Sequence, residues 1–160
     1  VIIGDMELES RLASNDYEEM KGHNIYLNLY EACLLLEEGK IEVYLKNKKI
    51  TLAKLLSEGE SLNEGFAMKY DVFKDLRLVK GLTVRSGIKF GCDFVVYAPG
   101  KKVGKAHSKW MVHVMPETAR MDYNEITRAA RLATNVKKSM VFASVTERGP
   151  VYYEVSRAKF

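Results

Sequence analysis

Three side chains in the second half of this 160-residue chain are of types that could move protons and hold phosphate charge. Tyr97 ends an apolar run, His107 follows the basic segment 101–106, and Lys138 belongs to the pair Lys137-Lys138. A histidine beside a basic loop can titrate near neutral pH, and an ammonium can stabilise a developing anion. Each also fits an ordinary structural position: a half-buried strand residue, a solvent-facing histidine, and cations that complement a helix dipole.

Cleavage of RNA without a metal ion needs these three kinds of group. The 2′-hydroxyl attacks the neighbouring phosphorus, so the substrate supplies a nucleophile that is already positioned. The protein must add a base for the hydroxyl proton, an acid for the departing 5′-oxygen and a cation for the phosphorane charge. The sequence has no Gly-rich phosphate loop, GxSxG, HExxH or EF-hand pattern, and its basic half lacks clustered carboxylates. We therefore predict a reaction without metal or cofactor.

Charge is distributed unevenly along the chain. Residues 1–69 contain 8 Lys/Arg and 13 Asp/Glu, whereas residues 70–160 contain 17 and 8. A basic half suits a polyanionic partner such as a nucleic acid. No apolar run approaches the roughly 20 residues that span a bilayer, and the first residues lack the basic region of a secretory signal. Cys33 and Cys92 are predicted to be reduced core thiols, and we expect a cytoplasmic protein without membrane association.

Several segments carry helix signals. Asn28 with Glu31, and Asp122 with Glu125, each combine an N-cap side chain with a carboxylate three residues later. Gly39 supplies a stop for the first of these helices. A short helix is predicted from Thr51 to about Ser57. A second helix is predicted from the helical spacing of Phe66, Tyr70, Phe73 and Leu76, and Gly81 stops it.

Apolar runs between turn residues predict strands at Ile41–Leu45, Asp93–Tyr97, Lys109–Val114, Met140–Val145 and Val151–Val155. Leu82–Arg85 and Ile88–Phe90, on either side of Ser86-Gly87, indicate a hairpin. Residues 57–65 are polar and contain glycine, which indicates a linker. The fold class is therefore mixed α/β: a small mixed N-terminal domain, residues 1–65, and a domain of residues 66–160 with a central mixed sheet flanked by helices.

The order of these pieces resembles the catalytic domain of the archaeal tRNA-intron endonucleases. Within residues 70–160, five blocks match in order: Lys80-Gly81, 84–91 (VRSGIKFG), 93–97 (DFVVY), His107-Ser108, and 131–133 (RLA) with 136–138 (VKK). Residues 1–65 resemble that family's accessory N-terminal domain more loosely. The resemblance implies an endoribonuclease that excises introns from precursor tRNA at a bulge-helix-bulge, with 2′,3′-cyclic phosphate and 5′-hydroxyl products.

The resemblance also implies roles for single residues. Tyr97 aligns with the proposed general base, His107 with the general acid and Lys138 with the group that stabilises the transition state; Lys137 is an adjacent rival for the last role. Since a phenol is almost fully protonated at neutral pH, Tyr97 needs a neighbouring ammonium to act as base, and its alternative role is to orient the hydroxyl. Arg131, and near the C-terminus Arg157, match arginines that clamp a flipped bulge nucleotide.

Self-assembling members of that family resemble one another in an acidic loop between the last two strands. Here the loop is 146–150 (TERGP), in which Arg148 offsets Glu147. We therefore expect a paralogous structural subunit to supply the acidic loop in an α2β2 assembly, with a homotetramer as the alternative. The run Val151–Val155 could form an edge strand that pairs subunits. Two other functions compete: a non-catalytic structural subunit of the same assembly, and a metal-dependent DNA nuclease or Holliday-junction resolvase of similar topology.

Overall fold

The computed structural model describes residues 2–3, 19–21, 24–101 and 103–158. The chain divides into two compact units, residues 1–67 and residues 68–160. No helix in the described part of the chain is long and apolar enough to cross a membrane. Helices combine with a five-stranded mixed sheet, which confirms the predicted mixed α/β class.

Among its described residues, the first unit contains two small antiparallel sheets and two helices. Its elements are β1 (Ile2–Ile3), β2 (Glu19–Lys21), β3 (Asn24–Tyr26), α1 (Leu29–Glu37), β4 (Val43–Leu45), β5 (Lys48–Ile50) and α2 (Leu52–Leu62). The sheet of β1, β2 and β3 has the order β1-β3-β2, and β4 pairs with β5 as a hairpin. The paired cap predicted for α1 is confirmed: Asn28 Oδ1 accepts the Glu31 N–H, and Glu31 Oε2 accepts the Asn28 N–H.

The linker predicted at residues 57–65 is wrong over most of its length, because α2 continues to Leu62. Packing at one glycine explains the difference. Gly59 is buried, and a Cβ there would lie 2.4 Å from Cδ1 of the Phe66 ring. That ring stacks on Tyr30 with centroids 4.4 Å apart. The polar composition of residues 57–65 indicated a linker. Most of the segment is helical instead, because Gly59 lets the helix pack closely against the Phe66 ring.

The second unit is built around one sheet of the order β10-β9-β8-β7-β6. Neighbouring strands are antiparallel except β8 and β9, which are parallel and joined through α4. Its elements are α3 (Phe66–Lys74, which begins at the end of the first unit), a π-helical turn (Asp75–Val79), β6 (Val84–Ser86), a 3₁₀ turn (Ile88–Phe90), β7 (Phe94–Val96), β8 (Trp110–Pro116), α4 (Tyr123–Asn135), β9 (Ser139–Thr146) and β10 (Gly149–Val155).

Helix α4 covers one face of this sheet. It begins with the predicted paired cap, in which Asp122 and Glu125 each accept the other's backbone N–H at 2.8 Å. Its inward side places Ala133 against a core of buried residues from the loop before β7 and from strands β7, β8 and β9. These are Cys92, Val95, Met111, Met140 and Phe142. The small alanine lets the helix approach closely enough to cover the strands that it connects.

The hairpin predicted around Ser86-Gly87 is wrong. Strand β6 pairs with β7, and the segment Ile88–Phe90 forms a 3₁₀ turn inside the connection between them. The Gly87 N–H donates to the Asp93 carbonyl, and the Phe90 and Cys92 N–H groups donate to the Gly87 carbonyl. These local hydrogen bonds close a compact loop and satisfy backbone groups that a hairpin would have paired across strands.

Candidate functional site

One end of the central sheet brings together the residues predicted to do chemistry. Val96 of β7 pairs with Trp110 of β8, and Trp110 pairs with Ser139 of β9. Tyr97 follows Val96 by one residue, and Lys138 precedes Ser139 by one residue. Tyr97 and Lys138 therefore lie on opposite sides of the start of β8. Two strand spacings put their backbones about 10 Å apart. His107 lies three residues before Trp110, at the same end.

Backbone hydrogen bonds fix this end of the sheet. The Lys109 N–H donates to the Val96 carbonyl at 2.8 Å, and the Ser139 N–H donates to the Lys109 carbonyl at 3.0 Å. On the other side, the Tyr97 N–H donates to the Thr83 carbonyl at 2.9 Å. The chain before β8 is thus held between the segments that carry Tyr97 and Lys138.

Lys138 is placed by the way α4 ends. The Lys138 N–H donates to the Ala133 carbonyl at 2.9 Å and the Lys137 N–H to the Thr134 carbonyl at 3.0 Å, a Schellman arrangement. Lys137 has φ +57°, the left-handed conformation that this motif requires. The helix that carries Arg131 ends at Asn135, so Lys138 lies beyond it and does not continue its face.

The Lys138 side chain folds back onto the protein, whereas Lys137 is exposed. The Lys138 Nζ donates to the Ser108 carbonyl at 3.1 Å and lies 5.2 Å from the centroid of the Phe90 ring. Burial raises the pKa of the nearby Cys92 thiol to about 11, while the Lys138 charge acts in the opposite direction. The Lys138 ammonium is therefore held beside the residue that follows His107.

His107 and Tyr97 have different surroundings. The His107 side chain is exposed, and within the described residues no hydrogen bond or ion pair engages its imidazole. Ser108, next to it, is buried and anchors the chain at this point. Tyr97 is half-buried. An accessible imidazole, a partly covered phenol and a tethered ammonium at one sheet end are groups that can transfer protons and stabilise an anion.

The two predicted RNA-binding arginines are both exposed. Arg157 follows Val155, which pairs with Met140 of β9, by two residues. The same antiparallel register would place Arg157 opposite Lys138, so it belongs to this end of the sheet. Arg131 lies on α4, one turn before the helix ends. The strand register, extended by two residues, would bring Arg157 to the site, but it does not fix Arg131 there.

A separate charged cluster surrounds Asp93. Its Oδ1 lies 3.2 Å from Lys69 Nζ, and its Oδ2 lies 3.4 Å from His113 Nδ1 and accepts the Val114 N–H at 2.8 Å. The cluster contains a single carboxylate and ties α3 to the start of β7 and to β8. Across the ranges that the structure describes, no three His, Cys, Asp or Glu side chains are grouped to hold a metal ion.

Sequence reasoning missed two neighbours of Lys138. The Ser108 carbonyl is a backbone acceptor, and the type of a residue does not predict which side chain will donate to its carbonyl. Phe90 is 48 residues away and was predicted to be a strand residue. Both contacts depend on how the loop before β7 and the end of α4 pack on one face of the sheet, and no local periodicity encodes that.

Comparison with known proteins adds an independent observation. Residues 66–153 match the family model "tRNA intron endonuclease, catalytic C-terminal domain", and residues 1–56 match "tRNA intron endonuclease, N-terminal domain". A tRNA-splicing endonuclease of Thermococcus kodakarensis is 44% identical over 137 residues, covering 85% of this chain and 79% of the relative. One of Pyrococcus horikoshii is 42% identical over 90% and 82% of the two chains. One of Methanococcoides burtonii is 34% identical over 99% of this chain and 46% of that protein.

Proposed function

The chain belongs to the tRNA intron endonuclease family, and from this premise we propose that it cuts precursor tRNA at the splice sites of a bulge-helix-bulge by attack of the 2′-hydroxyl. Membership of the family supports intron excision from tRNA. The products of this chemistry are a 2′,3′-cyclic phosphate and a 5′-hydroxyl. The observation that supports the proposal is the strand register: Val96 and Ser139, the neighbours of Tyr97 and Lys138, both pair with Trp110, and His107 precedes Trp110 by three residues.

Each of the three residues has one role. Tyr97 accepts the 2′-hydroxyl proton or orients that hydroxyl for attack. His107 donates a proton to the departing 5′-oxygen, and its exposed imidazole supports this role because it can reach a bound phosphodiester. Lys138 stabilises the charge that develops on the phosphorane oxygens. Lys138 is preferred to Lys137 because its ammonium is held at the sheet end, whereas the Lys137 side chain is exposed.

No metal is required in this scheme. The nucleophile belongs to the substrate and is positioned when the RNA binds, so no metal-bound water has to be generated. Proton transfer and charge stabilisation are supplied by a phenol, an imidazole and an ammonium. A DNA nuclease would use clustered carboxylates and a divalent ion, and membership of the tRNA intron endonuclease family favours the RNA reaction over that alternative.

Arg131 and Arg157 bind the RNA beside the cut. Planar guanidinium groups stack on unpaired bases and pair with phosphates, so exposed arginines suit a bulge whose nucleotides are splayed out. Arg157 follows by two residues the end of β10, where Val155 pairs with Met140, and this supports a contact close to the scissile phosphate. Arg131 contributes from the last part of α4.

The active enzyme is an assembly. In the turn between β9 and β10, Glu147 and Arg148 are both exposed, and the Arg148 N–H donates to Thr146 Oγ1. A turn this short, with balanced charge, is not an acidic projection. A paralogous structural subunit therefore supplies the acidic loop in an α2β2 heterotetramer, and the alternative is a homotetramer of this chain. The edge position of β10 supports strand pairing between subunits.

The decisive experiment incubates an intron-bearing precursor tRNA with the chain, with and without the candidate partner, in excess EDTA. We expect intron release, with cyclic phosphate on the upstream fragments and 5′-hydroxyl on the downstream ones. Loss of cleavage in EDTA, restored by a divalent ion, would contradict the reaction without metal. If intact protein bound the RNA without ever cutting it, even with the partner present, the non-catalytic structural subunit would be the better assignment.

A further inference from the structure

The Phe90 ring lies against the ammonium of Lys138. The Nζ is 5.2 Å from the ring centroid, within the distance at which a cation is attracted to an aromatic face. The same Nζ donates one hydrogen bond to the Ser108 carbonyl at 3.1 Å. A lysine ammonium has three N–H donors, so these two contacts define its position and leave donor capacity for a substrate.

The loop before β7 is constructed so that Phe90 reaches this position. The Phe90 N–H donates to the Gly87 carbonyl at 2.8 Å, and Gly91, with φ +71°, turns the chain immediately afterwards. A side chain at Gly87 is excluded, since a Cβ there would lie 2.5 Å from Cys92 Sγ and 2.7 Å from the Cys92 carbonyl oxygen. Cys92 Sγ in turn donates to the Phe94 carbonyl at 3.2 Å. The loop has little freedom to move the ring away.

We propose that Phe90 is a positioning residue that, together with the Ser108 carbonyl, holds the Lys138 ammonium at the sheet end in the geometry needed for cleavage; this inference rests on the proposed function. Lys138 follows a helix terminus rather than lying within a strand, so its long side chain would otherwise sample many rotamers. The ring restricts that freedom without neutralising the charge. A carboxylate at the same place would hold the ammonium more strongly but would cancel its effect on the phosphorane.

The effect should appear in the chemical step. Replacing the ring with an aliphatic side chain removes the attraction of the aromatic face and frees the ammonium, so Phe90→Leu should lower the single-turnover cleavage rate by roughly 2- to 30-fold. Binding of precursor tRNA should change little, because Phe90 packs against the core cluster and its ring contacts Lys138. Phe90→Tyr keeps the aromatic face and should cleave near the unaltered rate. Pentafluorophenylalanine at position 90 keeps the shape but reverses the ring's charge distribution, and should slow cleavage as leucine does.

A matched control separates positioning from general loss of packing. Phe142 belongs to the core cluster against which Phe90 packs. The aromatic partner of Phe142 is His113, and the two ring centroids are 6.3 Å apart in a T-shaped arrangement. Phe142→Leu should lower the melting temperature yet leave the cleavage rate unchanged below it. Equal slowing in Phe142→Leu and Phe90→Leu, or a Phe90→Leu rate within the error of the unaltered protein, would overturn the inference.

A second readout needs no catalysis. The ε-methylene protons of Lys138 should show an upfield ring-current shift in NMR spectra of the unaltered protein, and this shift should disappear in Phe90→Leu. A ring-current shift combined with full activity in Lys138→Met would refute the role of Lys138 and remove the reason for positioning it. Severe loss of activity in Lys138→Met with normal cleavage by the pentafluorophenylalanine protein would refute the role of Phe90 alone.

Discussion

At the scale of single residues, the site combines one accessible group with one restrained group. The His107 imidazole is exposed and, within the described residues, engages no other side chain. The Lys138 ammonium, in contrast, is held by the Ser108 carbonyl and the Phe90 ring. A general acid must follow the departing oxygen, whereas an electrostatic stabiliser works best when it is fixed before the reaction. The two environments agree with the two proposed roles.

Replacing His107 with Ala should slow single-turnover cleavage by roughly 10²–10⁴-fold, the range typical of a positioned acid or base. Binding of precursor tRNA should remain largely intact, because one exposed side chain makes only a small part of the contact with a folded RNA. His113→Ala is the matched control: His113 is also exposed on the same sheet, but it pairs with Asp93 away from the site. Gel-based rates for the two variants decide the matter. A near-normal rate in His107→Ala would remove this residue from the mechanism.

The Cys92 thiol links stability to pH. Burial raises its pKa from the ordinary 9.0 to about 11, so the unfolded chain loses this proton more readily than the folded protein. The contribution is intact below pH 9 and is lost as the pH rises toward 11, with a slope of at most about 1.4 kcal/mol per pH unit. Urea unfolding should therefore show a smaller loss of stability over this window for Cys92→Ala than for the unaltered protein. Identical pH profiles would contradict the assignment.

At the scale of elements, the end of α4 determines which lysine reaches the site. The Schellman arrangement puts Lys137 in a left-handed conformation and turns Lys138 back toward the start of β8. A residue with a Cβ tolerates this conformation at a cost that glycine avoids. The C-terminal end of α4 is thus formed by backbone hydrogen bonds, which place Lys137 and Lys138 in different conformations.

Lys137→Gly should stabilise the protein by roughly 1 kcal/mol, because the left-handed backbone at this position no longer strains a side chain. Cleavage should be unchanged. Lys138→Met, which keeps the aliphatic part and removes the charge, should slow cleavage strongly. Thermal unfolding and single-turnover rates of the two variants test both statements. A slow Lys137→Gly enzyme beside a normal Lys138→Met enzyme would transfer the catalytic role to Lys137.

Short-range signals predicted much of the element order. The paired caps at Asn28 and Asp122 are formed as expected, since a cap needs only residues three apart. The hairpin at Ser86-Gly87 and the linker at residues 57–65 were wrong, because Gly87 and Gly59 are present for close packing against Cys92 and Phe66. The sequence alone does not distinguish a glycine that is needed for close packing from a glycine that is needed for a turn.

At the scale of the whole molecule, the sequence predicted the fold class and the resemblance predicted candidate site residues, but neither predicted the strand order. The parallel pairing of β8 and β9 brings Trp110 beside Ser139 through the α4 crossover, and residue patterns along each strand do not specify that register. The convergence of Tyr97 with Lys138 is a consequence of this pairing. Local periodicity could not have supplied it, because it depends on which strands become neighbours.

The assembly can be tested directly. The chain purified alone should not form an active tetramer, because the turn with Glu147 and Arg148 lacks the excess negative charge needed to dock into a basic cleft. Mixing it with the paralogous subunit should give a complex of four chains that cleaves precursor tRNA. Analytical ultracentrifugation with activity assays provides the measurement. An active homotetramer of this chain would refute the heterotetramer and favour the alternative.

The most direct test of the proposed chemistry uses a precursor tRNA with a single 2′-deoxy sugar at each cut site. If Tyr97, His107 and Lys138 act on a phosphate attacked by its neighbouring 2′-hydroxyl, the substituted RNA will bind with normal affinity and remain uncut, while the all-ribose RNA is cleaved in the same buffer. Cleavage of the deoxy-substituted RNA at a comparable rate would mean that the nucleophile comes from elsewhere, and would contradict the mechanism proposed for this site.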